Sequence, residues 1–263
     1  MNLMGGRFEN QVAVVTGGSS GLGTWLAKTF ADEGANVVVT ARSSDKLRQV
    51  AESIGPACTW MVMDVTSTES VHAAVDQILA RFGRVDVWIN NAGYGVFAKL
   101  VDIDLDEMAG MMEVNYMGTV RCTKAILPYM LKAGKGKIVN IASMAGKIGS
   151  AKRTGYSATK HAVLGFTNSL RHELYGTGVS VLAVNPGPID TPFFDRADPT
   201  GQYIQNVRRF MLRPEQVARA VVKAVVKDKQ EINLPWMLSA CTKLVQLFPV
   251  LLDKLACRLL SRK

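Results

Sequence analysis

Short runs of Val, Ile and Ala alternate with amphipathic segments along most of the chain, and this alternation limits the fold more than any other feature. The first run, QVAVVT at 11–16, is followed by a glycine-rich turn. The segment at 22–34 then carries Leu22, Leu26 and Phe30 at helical spacing. Strands that are apolar throughout are typical of a parallel sheet buried on both faces. The pattern therefore predicts an α/β fold of the doubly wound Rossmann type.

The same pattern predicts a seven-stranded parallel sheet flanked by helices. The strands are expected at 11–16, 35–42, 58–65, 85–93, 136–143, 179–187 and 231–235. Helices are expected at 22–34, 44–55, 67–83, within 104–133, and at 154–175 and 214–226. No linker, repeat or low-complexity segment divides the chain, so we predict a single domain. Residues 1–235 form its Rossmann part and residues 236–263 a helical extension.

Composition indicates a soluble globular protein, with 48% apolar and 20% charged residues. The opening MNLMGGRFEN has no apolar leader, and no run reaches the ~18 apolar residues of a membrane span. Four cysteines without metal-ligand spacing indicate reduced thiols in a cytoplasmic protein: Cys58, Cys122, Cys241 and Cys257. Three histidines are too scattered for a metal site: His72, His161 and His172. We therefore expect no metal.

The formal charge of +9 allows two interpretations. Nucleic acid or an anionic membrane could be the partner. The basic residues are spread along the chain without interleaved aromatic residues, however, so we expect no nucleic acid. A phosphorylated cofactor would need only a few of these charges.

The turn TGGSSGLG at 16–23 lies between the first strand and the first helix. Its Gly17, Gly21 and Gly23 give the spacing G-x-x-x-G-x-G. Glycines permit a tight turn, and the missing Cβ lets a diphosphate approach backbone N–H groups at the start of a helix. We therefore predict a dinucleotide site at this turn.

The end of the second strand bears on which dinucleotide binds. An acidic residue there would hydrogen-bond the ribose 2′-OH of NAD. The strand instead ends in Thr40, Ala41, Arg42 and Ser43, which include no carboxylate and one guanidinium. Guanidinium matches a phosphate with charge-assisted hydrogen bonds. Arg42 therefore favours NADP(H) over NAD(H), although it could also be a solvated arginine without a role.

An ordered set of motifs resembles that of the classical short-chain dehydrogenases/reductases from about residue 10 to 235. The motifs are TGGSSGLG at 16–23, Asp64, NNAG at 90–93, Asn115, Ser143, Tyr156-Ser-Ala-Thr-Lys160, and Asn185-Pro-Gly187 followed by Thr191. The resemblance implies a catalytic domain over 1–235 that binds the cofactor through Gly17, Ser19, Ser20, Gly21, Leu22, Gly23, Arg42, Asp64, Val65, Asn91, Ala92, Gly93, Tyr156, Lys160, Pro186, Gly187, Ile189 and Thr191. It places Asp64 and Val65 by the adenine, the Asn90 segment along the cofactor wall, and Thr191 at the nicotinamide carboxamide.

The catalytic residues implied by the resemblance are Asn115, Ser143, Tyr156 and Lys160. Tyr156 and Lys160 are four positions apart, so a helix places them on one face. A nearby cation favours the phenolate, and Lys160 would supply that cation. Ser143 would hold the substrate oxygen, and Asn115 would anchor a water linked to Lys160. The expected reaction is reversible hydride transfer between a nicotinamide and a carbonyl or alcohol, with Tyr156 as general acid.

The substrate is expected to be small and apolar, such as an oxoacyl thioester, a steroid-like ring, or a simple ketone or aldehyde. The candidate contacts are Ser143, Ala145, Tyr94, Phe193 and Phe194. The last two fall in a connection at about 188–212 that has the length and position of a lid. A second interpretation is a non-catalytic NADP(H)-binding sensor or scaffold. It gives no reason for the four catalytic residues to occur together.

The extension at 236–263 has an apolar helical face interrupted at Pro249. The face consists of Leu244, Leu247, Phe248, Leu251, Leu252, Leu255 and Leu259. It could pack within the subunit, lie across the interface of a homodimer or homotetramer, or contact a membrane surface peripherally. The sequence leaves these three alternatives open.

Overall fold

The computed structural model of the chain describes residues 6–237 and Thr242. Within these residues, seven strands form one parallel sheet: β1 Val12–Thr16, β2 Asn36–Ala41, β3 Cys58–Val62, β4 Val87–Asn90, β5 Gly136–Ile141, β6 Val179–Pro186 and β7 Glu231–Leu234. Their order across the sheet is β3-β2-β1-β4-β5-β6-β7. The order of strand addition reverses between β1 and β4, which is the switch point at which open α/β sheets bind ligands. The predicted fold is confirmed.

Helices cover both faces of this sheet. They are α1 Gly21–Asp32, α2 Ser44–Ile54, α3 Thr68–Phe82, α4 Leu105–Met112, α5 Gly118–Ala133, α6 Thr154–Glu173, α7 Phe193–Ala197, α8 Gln202–Val207 and α9 Pro214–Val226. One core cluster packs α1, α2 and α9 against the sheet, and a second packs α3, α5 and α6 against the other face. The sheet is therefore buried on both sides. This burial explains why its strands read as continuous apolar runs.

Local signals in the sequence explain where the elements begin and end. All five residues of β1 are buried, and Val14 lies opposite Val38 of β2. Helix α3 begins after Ser67, whose side chain accepts a hydrogen bond from the Ser70 amide at 3.0 Å. It ends at Gly83, which adopts the left-handed conformation with φ of 70°.

Two strands end three residues earlier than the sequence predicts. The strand expected at 58–65 ends at Val62, and the strand expected at 85–93 ends at Asn90. Beyond these points the backbone leaves the sheet, so Asp64 and residues 91–93 lie in loops at its carboxyl edge. The apolar pattern does not mark this transition, because loop residues next to a buried site are themselves partly buried.

The connection predicted at about 188–212 contains α7, α8 and a short 3₁₀ turn at Arg208–Phe210. Most of the extension at 236–263 lies outside the described residues, except for Trp236, Met237 and Thr242. Trp236 and Met237 are exposed. No helix in the described part of the chain is long and apolar enough to cross a bilayer.

Candidate active site

A cavity of about 1480 Å³ opens at the carboxyl edge of the sheet. Pockets for a single drug-sized ligand commonly measure roughly 300–1,000 Å³. The cavity therefore has room for a dinucleotide and a second molecule together. The glycine turn after β1, the start of α6 and the helices α7 and α8 all line this cavity.

The glycine turn keeps the backbone close to its neighbours. Gly17 and Gly21 have positive φ angles of 64° and 56°, which disfavour other residues. A Cβ on Gly23 would lie 2.2 Å from the carbonyl oxygen of Gly17. Ser20 precedes α1, and its side chain makes no capping hydrogen bond within the described residues. The first amide groups of α1 thus remain open toward the cavity, which is the arrangement that receives a phosphate.

Hydrogen bonds hold the loop after β4 against this turn. The Thr16 hydroxyl accepts the amide N–H groups of Asn91 at 2.9 Å and Ala92 at 3.0 Å. The Asn91 side chain donates to the carbonyl of Thr16 at 2.9 Å and to that of Gly17 at 3.2 Å. Asn91, Ala92 and Gly93 line the cavity as predicted. Their position is set by Thr16, which the sequence interpretation did not single out.

Asn90 lies in the core rather than along the cavity wall. Its side-chain nitrogen donates to Thr123 at 3.0 Å and to Asn140 at 2.8 Å, and its oxygen accepts from the Trp88 indole at 2.9 Å. Asn140 in turn donates to Thr167 on α6 at 2.9 Å. This buried network ties β4 and β5 to the helices. Asn90 itself therefore does not line the cavity, whereas Asn91, Ala92 and Gly93 of its segment do.

Arg42 lies at the end of β2 where the cavity opens, and Ser43 and Lys46 lie beside it. Arg42 is exposed. Asp64 and Val65 line the neighbouring wall, and the Asp64 carboxylate accepts hydrogen bonds from the amide and hydroxyl of Thr66 at 2.9 and 2.8 Å. The ends of β2 and β3 thus form one end of the cavity.

Ser143, Tyr156 and Lys160 meet on one wall. Ser143 follows β5, donates to the carbonyl of Pro186 at 3.4 Å and accepts from the amide of Ala145 at 3.1 Å. The Ser143 hydroxyl also lies close enough to the Tyr156 phenol to lower its pKa. Lys160 donates to the carbonyl of Ile141 at 2.8 Å. Ala145, a predicted substrate contact, lines the cavity beside Ser143.

Burial shifts the pKa values of Tyr156 and Lys160 on this wall. It raises the pKa of Tyr156 to about 12, although the nearby Ser143 hydroxyl and the charge of Arg153 act in the opposite direction. Burial also lowers the pKa of Lys160 to about 8. We expected a cation to favour the phenolate, but desolvation of Tyr156 outweighs that effect in the chain alone.

Asn115 lies behind this wall, in a π-helical turn at Glu113–Met117 between α4 and α5. Such turns occur frequently at functional sites. Its side chain accepts from the amide of Tyr94 at 2.9 Å and donates to the Tyr94 carbonyl at 2.9 Å and to Thr159 at 3.0 Å. Both amide hydrogens of Asn115 are thus used by protein groups. Thr159, next to Lys160 on α6, is a partner that the sequence interpretation missed.

The segment after β6 closes the cavity over the glycine turn. Its predicted residues line the cavity: Pro186, Gly187, Ile189 and Thr191. A Cβ on Gly21 would lie 3.3 Å from the Cβ of Thr191. Thr191 therefore lies against the start of α1.

Aromatic rings surround Tyr156 on the side away from the glycine turn. Phe193 lies 5.6 Å and Phe97 lies 5.8 Å from the Tyr156 ring, measured between ring centroids. Phe97 also contacts Phe194 at 6.2 Å and Tyr203 at 5.2 Å. The predicted Phe193 and Phe194 thus line the cavity beside Tyr156. Phe97 and Tyr203 belong to the same aromatic group. Their contacts arise from the tertiary fold, and no sequence motif predicts them.

Two arginine–tyrosine pairs connect the segment of α7 and α8 with the rest of the cavity. The Arg196 guanidinium on α7 lies 3.7 Å from the centroid of the Tyr94 ring, and Arg196 also pairs with Glu107 of α4. Arg153, just before α6, donates to the hydroxyl of Tyr203 on α8 at 3.0 Å. Tyr94, a predicted substrate contact, is therefore covered on one side by Arg196.

A Rossmann-type sheet, a glycine turn at its switch point and a Ser–Tyr–Lys wall in one cavity define a nucleotide-binding oxidoreductase. Residues 11–201 match the family described as short chain dehydrogenase. An uncharacterized oxidoreductase of Staphylococcus aureus strain MRSA252 is 38% identical over 221 residues, which cover 84% of this chain and 93% of the relative. The chain belongs to the short chain dehydrogenase family.

Solved structures agree with this assignment. A short chain dehydrogenase/reductase from Burkholderia phymatum in complex with NAD has a TM-score of 0.85 at 26% identity, covering 93% of this chain and 95% of that one. An actinorhodin polyketide ketoreductase variant with NADPH has a TM-score of 0.78 at 32% identity, covering 85% of this chain and 95% of that one. This chain is accordingly an oxidoreductase acting on CH–OH groups with a nicotinamide cofactor.

Proposed function

We propose that the protein catalyses NADP(H)-dependent, reversible hydride transfer between the nicotinamide and the carbonyl or alcohol of an apolar substrate, with Tyr156 as general acid and base. One observation carries the proposal: Ser143, Tyr156 and Lys160 share a wall of the cavity into which the glycine turn opens. A cofactor on that turn and a substrate beside Tyr156 would be neighbours.

The described residues fit a dinucleotide. The open amide groups at the start of α1 suit the diphosphate, and Arg42 suits a 2′-phosphate because no carboxylate stands at the end of β2. Asp64 and Val65 would flank the adenine, and Asn91 to Gly93, Pro186, Gly187, Ile189 and Thr191 would hold the nicotinamide end. When bound, the nicotinamide supplies or accepts the hydride.

The proton comes from the chain. Tyr156 is buried with a pKa raised to about 12, so its phenol is protonated at neutral pH and can donate to a carbonyl oxygen. Ser143, next to the same phenol, would orient that oxygen. Lys160 would stabilise the phenolate once the proton has left. Asn115 would position this wall through Tyr94 and Thr159.

The apolar character of the substrate is supported by its surroundings. Tyr94, Ala145, Phe193 and Phe194 line the cavity around Ser143 and Tyr156, together with Phe97. The ketoreductase that was solved with NADPH shares this fold. A ketone with an aryl or alkyl body therefore fits better than a sugar.

The test is oxidation of NADPH and NADH with a panel of neutral ketones, oxoacyl thioesters and ketosteroids. Tyr156→Phe should lower kcat/KM roughly 10²–10⁴-fold, since the general acid is lost, while NADPH still binds. Tyr175→Phe makes the same chemical change on the surface and should leave the rate unchanged. If Tyr156→Phe retains activity within a few-fold of wild type, Tyr156 is not the acid.

We also propose a homodimer or homotetramer in the cytoplasm, with 236–263 packing within the subunit, across the interface or against a membrane surface. Deleting 240–263 and measuring the particle mass and liposome binding distinguishes these arrangements. A smaller particle supports the interface, loss of liposome binding supports the membrane, and no change in either supports packing within the subunit.

A further inference from the structure

Arg153 lines the cavity near Tyr156 and has no acidic partner among residues 6–237. It precedes α6, three residues before Tyr156, and lines the cavity. The cavity-lining Arg196 pairs with Glu107. For Arg153, by contrast, no carboxylate of residues 6–237 lies within salt-bridge distance. The guanidinium is half-buried, so its charge is only partly solvated.

The groups in contact with Arg153 are neutral. Its side chain donates a hydrogen bond to the hydroxyl of Tyr203 at 3.0 Å, and it lies 4.8 Å from the centroid of that ring and 5.7 Å from that of Phe97. Burial raises the pKa of Tyr203, so this phenol stays uncharged at neutral pH. Asp198, which lies nearby, already accepts hydrogen bonds from the hydroxyl of Thr200 and the amide of Ile204.

A guanidinium carries five N–H donors in a planar fork that matches a carboxylate. A partly desolvated charge without a counterion is costly, and an incoming anion would reduce that cost. Arg42 lines the same cavity and is exposed. In the proposed function it binds the 2′-phosphate of the cofactor. Arg153 is thus the corresponding group on the substrate side.

The geometry points to Arg153 as a specificity-determining residue that binds a carboxylate on the substrate, so that the substrate class is an oxo acid or hydroxy acid with an apolar body. This inference rests on the proposed function and names its substrate class. Phe97 lies between Arg153 and Tyr156, 5.7 Å from the former and 5.8 Å from the latter ring. Three residue steps at the start of α6 place the two positions about 4.5 Å apart along the helix axis. A short apolar body over Phe97 can therefore join the acid group to the reacting carbon.

The test measures charge preference without turnover. Phenylbutyrate and its neutral amide, phenylbutyramide, are titrated into the full-length chain by calorimetry, with and without NADPH. Wild type should bind the acid at least about tenfold more tightly than the amide, because hydrogen bonds to charged groups are stronger than neutral ones. The preference should disappear in Arg153→Met. It should be reduced in Arg153→Lys, which keeps the charge but not the fork.

Arg219→Met is the matched control, since Arg219 lies on α9 and pairs with Glu215; it should keep the preference. Arg153 makes no side-chain capping hydrogen bond to α6, so replacing it does not uncap the helix. The inference is overturned if wild type binds acid and amide equally, if neither probe binds, or if Arg153→Met retains the preference. None of these binding results tests the reduction of neutral ketones. Conversely, a failure to reduce neutral ketones would not change the measured preference for the acid over the amide.

Discussion

The side-chain nitrogen of Lys160 lies 5.7 Å from the centroid of the Tyr156 ring while it donates a hydrogen bond to the carbonyl of Ile141. The lysine is only 6% exposed. Its charged form is therefore held close to the phenol at a desolvation cost, which appears as a pKa lowered to about 8. The same placement that would stabilise a phenolate should weaken the fold at neutral pH.

Stability should consequently rise with pH in a window set by Lys160. Its pKa falls from 10.5 when exposed to about 8 in the folded chain, so between these values the unfolded state binds more protons. The contribution of Lys160 to the free energy of unfolding therefore increases with pH through this window. Between about pH 7.5 and about pH 9.5, wild type should gain about 2 kcal/mol relative to Lys160→Met. Urea unfolding of the cofactor-free proteins at both pH values measures this difference.

An exposed lysine provides the control, and Tyr156 sets the upper limit of the pH range. Lys223→Met removes an exposed lysine of α9 and should show no such pH-dependent difference. Tyr156 acts in the opposite direction, but only above about pH 10, because its pKa is raised from 10.0 to about 12. A difference between wild type and Lys160→Met that stays constant with pH would show that Lys160 is not held charged against burial.

The sequence predicted the sheet and most of the cavity because both depend on local signals. Apolar runs located all seven strands in the described part of the chain. The carboxyl ends of parallel strands meet at one edge, so Gly17, Ser143 and Thr191 could be placed near one another before any coordinates were known. Helical spacing did the same for Tyr156 and Lys160.

Other features of the site depend on tertiary contacts. Phe97, Arg153 and Tyr203 come from three separate segments, and their contacts arise only when α8 folds against α6. The π-helical turn around Asn115 likewise has no sequence pattern of its own. The pKa of Tyr156 depends on burial, and a sequence motif does not show how deeply a side chain is buried. These are the features that bear on substrate choice and acid strength.

Replacement of Arg42 by alanine should weaken NADPH binding about tenfold and leave NADH binding unchanged. The reason is that a charge-assisted hydrogen bond to the 2′-phosphate is lost, and NADH has no such phosphate. Equilibrium binding of both cofactors measures the change. Arg48→Ala is the control, because Arg48 is an exposed α2 arginine near Asp45. Equal weakening of both cofactors by Arg42→Ala would mean that Arg42 does not select between them.

Replacement of Gly23 by alanine should both destabilise the fold and abolish cofactor binding. Its Cβ would lie 2.2 Å from the Gly17 carbonyl oxygen, so the turn must open to admit it. Overpacking of this kind costs about 1–3 kcal/mol, and a displaced turn no longer presents the amide groups of α1. Gly165→Ala is the matched control, because its Cβ would meet no atom within 4 Å inside α6; it should stabilise the fold by up to about 1 kcal/mol. Urea unfolding measures the stability of both variants, and NADPH titration measures their cofactor binding. A Gly23→Ala protein that binds NADPH as wild type does would show that the close approach of Gly23 to Gly17 is not needed for the phosphate site.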